Sequence, residues 1–550
     1  MHKIYKNIFT VLAIISGFIL LCVIILFITG ICLYRTADFR EPALDFTLGN
    51  DALIQKDSLR TYGSNSLLLN SSGLLEIRLS GSPFQRGAAY GILSQDLLEY
   101  QENVFVEKLR DIIKSDKYMS LLHKLIIIFN RNMSEYIPEE LREEIYGISL
   151  SCSDKFDAFG TSYERQLNYH AAHDIGHAMQ EYMLVGCSSF AVWSDNSIDG
   201  ELLIGRNFDF YINDNFAKNR VILFVEPDSG YRFVSVSWPG MIGVVSGMNA
   251  KGLTVTINAA KGPLPTSAAM PISLLARQIL QYASNITEAY NIATSADVFV
   301  SESILIGSAE DGFAAIIEKS PEHTSLYTTS RTAVICTNHY QSDTFMTDPH
   351  NLKNISTSDS PYRYERINEL IDSLSPIDQI DAAYILRNRF GTNNTDIGLT
   401  NEKSINQFIS HHSVIFQPEK LRMWVSTNPW QAGEYICYDL TEGRRLKAMT
   451  IPADSTIITH DIPNVLLYRQ LAAIIQDSTN NGVSVPREYL EELLSVNPEY
   501  YGTYRIIGDY MSAAGDRKAA VQMWKTALQK ETAHKKDRLE LERKIHKYDY

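Results

Sequence analysis

The amino-acid sequence predicts an α+β protein with a large proportion of antiparallel sheet. Strand-like runs dominate from Cys187 to about Leu440, and four helical patterns lie between groups of these strands. The residues from about 463 to 550 are helical throughout. Strands joined by turns, with helices set apart from them, are typical of α+β proteins and not of regularly alternating α/β folds.

The N-terminus carries an uncharged apolar run from Ile8 to Tyr34. This run exceeds the roughly 20 residues that a membrane-spanning helix needs. It is also longer than the core of a signal peptide, and no small-residue cleavage site follows closely. Because Lys3 and Lys6 precede the run, we predict a single-pass transmembrane anchor in residues 1–35 with a cytoplasmic N-terminus. The remaining chain would then be extracytoplasmic, with the periplasm as the expected compartment.

Composition excludes several classes of function. The 550 residues carry a net charge of −14, which argues against nucleic acid as the main partner. Six cysteines lie far apart without a CxxC motif, so neither a metal centre nor a disulfide framework is expected. We predict no cofactor and no metal ion.

The predicted elements divide the chain into segments. Residues 36–73 are expected to be a polar connector, and residues 74–186 a mostly helical segment that begins with a strand at Leu75–Leu79. Residues 187–445 hold the predicted core. Its expected helices cover residues 272–283, 286–294, 362–373 and 377–388, and its expected strands include residues 220–225, 233–236, 253–257, 303–306, 314–318 and 333–336.

The C-terminal segment, about residues 463–550, has the spacing of one tetratricopeptide (TPR)-like helix pair. The residues with this spacing are Tyr504, Ile507, Gly508, Met511, Ala520, Trp524 and Ala527. A single repeat cannot bury its own apolar face, so an ordinary helical hairpin that packs on the main domain is an equal alternative. These helices are also the candidate site for a protein partner.

Cys187 is the first candidate for chemistry. It follows Gly186 at the head of a predicted hairpin whose return strand ends in Arg206-Asn-Phe-Asp209. If the Gly186–Cys187 bond were cut, the freed α-amine, with a pKa near 8, would be well placed to deprotonate the thiol. The alternative is a buried, inert cysteine that begins a core strand.

Seven separated motifs extend this hypothesis. In chain order they are Gly81-Ser-Pro-Phe-Gln-Arg-Gly87, Gly186-Cys-Ser-Ser-Phe190, Gly205-Arg-Asn-Phe-Asp209, Gly247-Met-Asn-Ala-Lys-Gly252 with Asn258, Cys336-Thr-Asn338, Ser360-Pro-Tyr-Arg363 and His412-Ser-Val-Ile-Phe416. Over roughly residues 74–440 they resemble the acyl-coenzyme A:6-aminopenicillanic acid acyltransferase family. That family is related to choloylglycine hydrolases and lysosomal acid amidases within the N-terminal nucleophile (Ntn) hydrolases.

The resemblance implies a four-layer αββα sandwich and self-cleavage before Cys187. It also implies hydrolysis or transfer of acyl groups at amide bonds other than peptide bonds. Cys187 would be the nucleophile, and the family pattern would have Asp209 hold the freed α-amine. Arg206 is cationic at any pH and would hold the thiolate or a nearby carboxylate. The alternative for Arg206 is an ordinary surface arginine, and the alternative for Asp209 is a turn residue at the end of a strand.

Three further residues complete the predicted site. The amide of Asn338 and the backbone N–H of Asn249 are candidates for stabilising an oxyanion. Both have a simple alternative as turn residues. Arg363 matches a supporting arginine of the family, with Arg366 as the substitute if that alignment slips. Asn258 would shape the pocket or hydrogen-bond a neighbouring strand.

Two histidine groups are weaker candidates. His170, His173 and His177 share a helical face before the cleavage point, where a polar face is favoured over a metal site. His411 and His412 do not fit a papain-like pairing with Cys187, since no other part of that pattern is present.

The predicted function is a self-processed cysteine amidohydrolase or acyltransferase that acts on N-acyl small molecules or lipids through a Cys187 thioester. The stretch from Trp238 to Ile242 would line an acyl pocket or pack in the core. A bile-salt or penicillin amidase is one alternative. The other is a non-catalytic cell-envelope interaction protein that retains the fold.

Overall fold

The structure, a computed structural model, describes residues 24–25, 28–43, 51–178, 184–211 and 213–548. Twenty strands occur in this part of the chain. They are β1 Ile54–Lys56, β2 Leu59–Tyr62, β3 Asn65–Leu69, β4 Leu75–Gly81, β5 Leu184–Val185, β6 Ser188–Val192, β7 Leu203–Phe208, β8 Phe210–Tyr211, β9 Val221–Pro227, β10 Phe233–Ser237, β11 Ser246–Asn249, β12 Leu253–Ala259, β13 Glu302–Ser308, β14 Phe313–Lys319, β15 Thr324–Tyr327, β16 Ala333–Cys336, β17 His412–Gln417, β18 Arg422–Ser426, β19 Tyr435–Asp439 and β20 Arg444–Arg445.

The helices lie before, between and after these strands, and residues 28–35 are helical as well. In chain order from residue 83 they are α1 Pro83–Leu93, α2 Gln95–Ile112, α3 Asp116–Asn130, α4 Met133–Tyr136, α5 Glu139–Ser149, α6 Ser162–Ala178, α7 Ile272–Tyr282, α8 Ile286–Ser295, α9 Pro349–Thr357, α10 Ser360–Leu374, α11 Gln379–Arg387, α12 Ile462–Asn481, α13 Arg487–Val496, α14 Tyr501–Ala513, α15 Arg517–Gln529 and α16 Lys535–His546.

The strands form two large sheets. The larger sheet has eleven strands in the order β1-β2-β3-β4-β9-β10-β11-β12-β13-β14-β15. The smaller sheet has seven in the order β16-β6-β7-β17-β18-β19-β20. The strand pairs are antiparallel except for β4 with β9, which run parallel. The α+β class is therefore confirmed.

Buried side chains place the sheets face to face between two layers of helices. Met248 and Leu305 from the larger sheet share one core cluster with Val334 and Val414 from the smaller sheet. The outer face of the larger sheet packs against α1 and α5–α8. The outer face of the smaller sheet packs against α10 and α11. The layers thus run helix, sheet, sheet, helix, with one side of each strand facing each neighbouring layer.

The predicted connector, residues 36–73, is wrong in part. Strands β1 to β3 lie inside it and form the edge of the larger sheet. These strands have weak amphipathic patterns, and β1 is exposed along its whole length. Backbone hydrogen bonds from β1 to β2, from β2 to β3 and from β3 to β4 hold them in place. Such pairing between strands leaves little trace in a local hydrophobic pattern.

The C-terminal helical region is confirmed. The helices α12 to α16 share one apolar core. Within it, α14 and α15 approach closely at Gly508, where an added Cβ atom would lie 2.5 Å from the Trp524 ring. The predicted helix pair is thus part of a five-helix unit, and Asn497 and Glu531 of this unit contact the main domain.

The predicted anchor, Ile8 to Tyr34, lies largely outside the described residues. Among the residues that the structure describes, no helix is both long and apolar enough to cross a membrane. The anchor and its orientation stay predictions.

We predict that the two fragments produced by cleavage at Gly186–Cys187 stay associated. The first fragment supplies β1–β4, and β4 pairs with β9 of the second fragment. Buried Glu144 also accepts from Arg277 of the second fragment at 3.2 Å. The cut protein should give two bands on a denaturing gel and one species of full-chain mass in size-exclusion chromatography. Separation of the fragments in native buffer would contradict this.

Candidate active site

Cys187 lies directly before β6, the strand between β16 and β7 in the smaller sheet. Its side chain is 1% exposed. The backbone N–H of Cys187 donates to Oδ1 of Asn338 at 3.1 Å. Its carbonyl oxygen accepts from Nη1 of Arg363 at 2.6 Å. Both main-chain groups of the candidate nucleophile are therefore held by side chains that come from after β16.

Gly186 is closely packed. Its N–H donates to the carbonyl oxygen of Asp209 at 3.0 Å. A Cβ atom at Gly186 would lie 3.0 Å from Nε2 of Gln407 and 3.6 Å from Nη2 of Arg363. A side chain at Gly186 would displace the Gln407 amide, because real Cβ atoms seldom approach other heavy atoms so closely. The glycine before the nucleophile thus has a steric explanation.

Arg206 faces the thiol from β7, where it pairs across the hairpin with Ser189. Its Nη2 lies 3.6 Å from Sγ of Cys187. The same guanidinium donates to the carbonyl oxygens of Val245 and Ile257, and it stacks 4.3 Å over the ring of Phe208. Burial raises the pKa of the Cys187 thiol, and the charge of Arg206 opposes this shift. The uncut chain therefore holds a protonated thiol that needs a base.

Asp209 lies where the return strand is interrupted. Strand β7 ends at Phe208 and β8 begins at Phe210, which frees Asp209 from regular alternation. Its Oδ1 accepts from the Ser410 hydroxyl, and its buried Oδ2 has no hydrogen-bond partner among the described residues. Burial raises the pKa of Asp209 to about 7, while Ser410, Arg363 and Arg206 oppose the shift. An unfilled acceptor beside the Gly186–Cys187 bond suits an ammonium group.

Arg363 and Asn338 form the other side of the site. Nη2 of Arg363 donates to Oδ1 of Asn338 at 2.7 Å. Nη1 of Arg363 also donates to the Ser188 hydroxyl at 2.9 Å. The amide nitrogen of Asn338 donates to the carbonyl oxygen of Ala259 at 2.8 Å. Asn338 therefore presents its oxygen to Cys187, and it holds the nitrogen that cleavage would turn into an amine.

Asn249 does not join this cluster, and its predicted contribution to an oxyanion site is corrected here. Arg206 contacts the chain at Val245 and Ser246, whereas Asn249 lies at the far end of β11, roughly 10 Å along the strand. The Asn249 side chain donates to the carbonyl oxygens of Leu280 and Ala283. It therefore closes the turn after β11 and the end of α7.

The structure distinguishes Arg363 from Arg366 and shows what Asn258 contacts. Arg366 contacts Asn388, Glu369 and Asn394, so Arg363 is the arginine beside Cys187. Asn258 bridges the two sheets, because it accepts from the Ser189 hydroxyl at 2.9 Å and donates to the carbonyl oxygen of Cys336 at 2.8 Å. The roles of the site residues in a reaction stay predictions.

Three contacts of the site were not predicted. Ser410 contacts Asp209, Gln407 contacts Gly186, and His412 lies 3.4 Å from Arg206 and 2.8 Å from the Ser246 hydroxyl. Burial and nearby cations lower the pKa of His412 well below its usual range, so it is neutral. Of these residues, only His412 belongs to a motif noted in the sequence. That motif predicted a strand and not a contact with Arg206.

The predicted histidine face near the cleavage point is described only at His170. Its Nδ1 lies 2.7 Å from the carbonyl oxygen of Gln166, and its Nε2 accepts from the Ile242 N–H at 3.1 Å. Burial lowers the pKa of His170 to about 4. The side chains of His173 and His177 lie outside the described residues. Within the described part, no cluster of three or more potential ligands suits a metal ion.

A cavity lies beside the aromatic residues that follow Asp209. Trp238, Pro239, Gly240 and Met241 line one wall, together with Phe210 and Phe216. Residues of α2 and α6 also line the cavity, among them Leu98, Phe105 and the polar Gln101 and Glu102. Phe208 links this cavity to the candidate site, because its ring stacks on Trp238 and the Arg206 guanidinium lies 4.3 Å over it. The cavity is therefore lined by residues from the segment before Cys187 and from the segment after it.

Residues 196–428 match the family of acyl-coenzyme A:6-aminopenicillanic acid acyl-transferases. This match confirms the resemblance that the motifs predicted, and it relates the central part of the chain to that acyltransferase family. It includes Arg206, Asp209, Asn338 and Arg363, begins nine residues after Cys187, and ends before the C-terminal helices.

Three curated relatives share parts of the chain. An uncharacterized protein of Archaeoglobus fulgidus is 27% identical over 346 residues, which cover 56% of each protein. Protein dcd1B of Dictyostelium discoideum is 25% identical over 267 residues, covering 44% of this chain and 50% of the relative. Protein dcd1A of the same organism is 23% identical over 295 residues, covering 48% and 63%. The chain spans between about half and just under two thirds of these relatives.

Solved structures with a likeness to part of this chain include an acid amidase and a bile acid hydrolase. An N-acylethanolamine-hydrolyzing acid amidase ortholog of Caenorhabditis elegans is 14% identical, with a TM-score of 0.31 and coverage of 42% of this chain and 93% of that chain. A mutant conjugated bile acid hydrolase of Clostridium perfringens is 14% identical, with a TM-score of 0.33 and coverage of 47% and 93%.

We predict a pH-dependent stability that comes from Asp209. In an uncut Cys187→Ala chain, the folded state keeps a proton on Asp209 up to about pH 7, whereas the unfolded chain loses it near its ordinary pKa of 3.8. This part of the stability is full below pH 4 and is lost as the pH rises through 7. Adding Asp209→Asn to this chain should remove that loss. The free energy of unfolding of the double variant, relative to that of the Cys187→Ala chain, should therefore be higher at pH 8 than at pH 4 by a few kcal/mol. Urea unfolding at several pH values measures this, and parallel curves for the two chains would contradict it.

Proposed function

We propose that this protein is a self-processed cysteine amidohydrolase or acyltransferase of the Ntn type. The observation that carries the proposal is the environment of Cys187. Its nitrogen is held by Asn338, its sulfur lies 3.6 Å from Arg206, and Asp209 offers an unfilled buried oxygen next to the bond to be cut. The central match to an acyltransferase family supports the same chemistry.

Processing would begin with attack of the Cys187 sulfur on the carbonyl carbon of Gly186. The peptide C–N bond breaks, the thiol proton passes to the departing nitrogen, and a thioester links Gly186 to Cys187. Water then hydrolyses this thioester, which returns the thiol and leaves a carboxylate on Gly186. The product is a free α-amine on Cys187 that becomes an ammonium group, for which Asp209 provides the counter-charge.

Turnover would use the same groups. The α-amine takes the thiol proton, and the thiolate attacks the carbonyl of an N-acyl amide. The amine leaving group receives that proton from the α-ammonium as the C–N bond breaks, and an acyl thioester remains on Cys187. Water completes a hydrolysis, and a second amine completes an acyl transfer. The amide nitrogen of Asn338 donates to the carbonyl oxygen of Ala259 in the uncut chain. It would donate to the oxyanion after it turns away from Ala259, once Gly186 has left the site.

We propose N-acyl small molecules or lipids as substrates, with the cavity beside Trp238 as the acyl site. The support is the character of its lining, since aromatic and aliphatic side chains make up most of it, with the polar Gln101, Glu102, Gln166 and His170 on the side of α2 and α6. Apolar walls favour an acyl chain because burial of each methylene contributes about 0.8 kcal/mol.

The nucleophile is tested by Cys187→Ala, which should leave one full-length chain and form no acyl adduct. The matched control is Cys437→Ala, since Cys437 is equally buried but lies on β19 away from the site. Intact-mass analysis reports cleavage. Mass spectrometry after incubation with N-acyl amides, bile-acid conjugates and penicillins reports adducts and separates the substrate classes. An active wild-type chain that stays uncut would contradict the Ntn mechanism, and no adduct from any donor would favour a non-catalytic protein.

The acyl site is tested by Phe216→Ala, which enlarges the cavity. The ratio of kcat/KM for long against short acyl chains should rise by about tenfold or more. Phe224→Ala is the matched control, because Phe224 packs on Tyr438 and Arg78 away from the cavity. Steady-state kinetics over a series of acyl lengths gives the ratio. An equal ratio in the two variants would place the acyl chain elsewhere.

A further inference from the structure

The segment 397–410, called here the active-site loop, touches the candidate site at two points. Ser410 donates to Oδ1 of Asp209. The Gln407 amide packs against Gly186, where a Cβ atom would lie 3.0 Å from its Nε2. The same nitrogen donates to the carbonyl oxygen of Glu402 at 3.1 Å, so Gln407 depends on the path of its own loop.

The active-site loop is held only in part by its own hydrogen bonds, such as those that Asn401 makes with Ile397 and Lys403. It contains no helix or strand in the structure. Thr400 and Phe408 have φ angles of +64° and +57°, in the left-handed region that non-glycine residues seldom occupy. Such conformations cost of order 1–3 kcal/mol each, and they persist only where the surroundings hold them.

The main domain supplies part of these surroundings, because Asn207 donates to the carbonyl oxygen of Ile405 and Asn406 bonds to Asn388. The C-terminal helices supply the contacts near the strained residues. The side chain of Asn497, 1% exposed, accepts from the Leu399 N–H at 2.8 Å and donates to the Leu399 carbonyl oxygen at 2.9 Å. Asn401 donates to the carbonyl oxygen of Glu531 at 3.0 Å. Nη2 of Arg469 donates to the carbonyl oxygen of Phe408 at 2.8 Å. Contacts therefore reach the loop at both ends and close to both strained residues.

Glycine makes the first of these contacts close. A Cβ atom at Gly398 would lie 2.4 Å from the backbone nitrogen of Tyr500, so only glycine permits this approach. The acyltransferase match ends at residue 428, so α12–α16 lie outside it. The loop that contacts Asp209 is thus braced by a unit that the family match does not include.

We propose that the C-terminal helices are a clamp for the active-site loop and that Asn497 is its main positioning residue. Through Leu399 it sets the path of the loop, and the loop then places Ser410 against Asp209 and Gln407 against Gly186. A main-chain N–H and C=O bound by one asparagine side chain mimic a strand partner, which resists sliding of the loop in both directions.

The test compares Asn497→Ala with Leu541→Ala in the full chain. Leu541 is fully buried in the core of α12–α16, so its loss weakens the same unit without removing a contact to the loop. Hydrogen exchange read by mass spectrometry, at temperatures equally far below each midpoint, should rise in peptides covering 397–410 only for Asn497→Ala. Arg469→Met is the second variant if Asn497→Ala does not fold. Unchanged loop exchange, or an equal rise with Leu541→Ala, would overturn the clamp.

A double-mutant cycle shows whether the clamp acts through Ser410. Asn497→Ala and Ser410→Ala should each slow acylation of Cys187 by roughly tenfold, and the double variant should be no slower than either. Leu541→Ala combined with Ser410→Ala should be as slow as Ser410→Ala alone. A double variant slowed by the product of the single effects would overturn the connection. If no variant or wild type is acylated, the proposed function fails, while the exchange result still decides the clamp.

Discussion

The Arg363 guanidinium connects most of the groups that surround Cys187. It is fully buried, and it donates to the carbonyl oxygen of Cys187, to the hydroxyl of Ser188 and to Oδ1 of Asn338. Its Nε donates to Asp359, four residues earlier at the start of α10. A planar cation with donors in a fixed fork can hold several acceptors at once, and the free backbone groups at the start of β6 require such a partner. The position of the candidate nucleophile therefore depends on a helix of the outer layer.

Burial of charge is the cost of this arrangement. Arg206, Arg363 and Asp209 all lie out of contact with water, and such groups destabilise a fold unless they are paired. Arg363 meets this condition with carbonyl, hydroxyl and carboxylate acceptors. Arg206 meets it with carbonyl and hydroxyl acceptors, although its Nε has no hydrogen-bond partner among the described residues. Asp209 meets it only in part, which explains why burial raises its pKa to about 7. An incompletely satisfied carboxylate is destabilising by itself, and it is consistent with a group selected for binding a positive charge.

The segments before and after Cys187 both contribute to the packed sheets and to the cavity. The segment before Cys187 contributes strands to the larger sheet, helices to its outer face and one wall of the cavity. The segment after Cys187 contributes the smaller sheet and the remaining walls. His170 of α6 accepts from the Ile242 N–H, so the first segment also supports the stretch that lines the cavity. Interlocking of this kind makes the proposed cleavage compatible with a stable protein.

Local pattern in the sequence determined the α+β class, most of the core elements, the C-terminal helices and the candidates Cys187, Arg206 and Asp209, and the family resemblance added Asn338 and Arg363. Apolar periodicity and charge are properties of neighbouring residues, so they can be read along the chain. Tertiary structure alone decided that β1–β3 join the larger sheet and that Asn249 lies at the wrong end of β11. It also brought Ser410 to Asp209 and Gln407 to Gly186, each more than 200 residues away in sequence. These contacts arise from strand register and from a loop held by distant helices, and neither has a local signal in the amino-acid sequence.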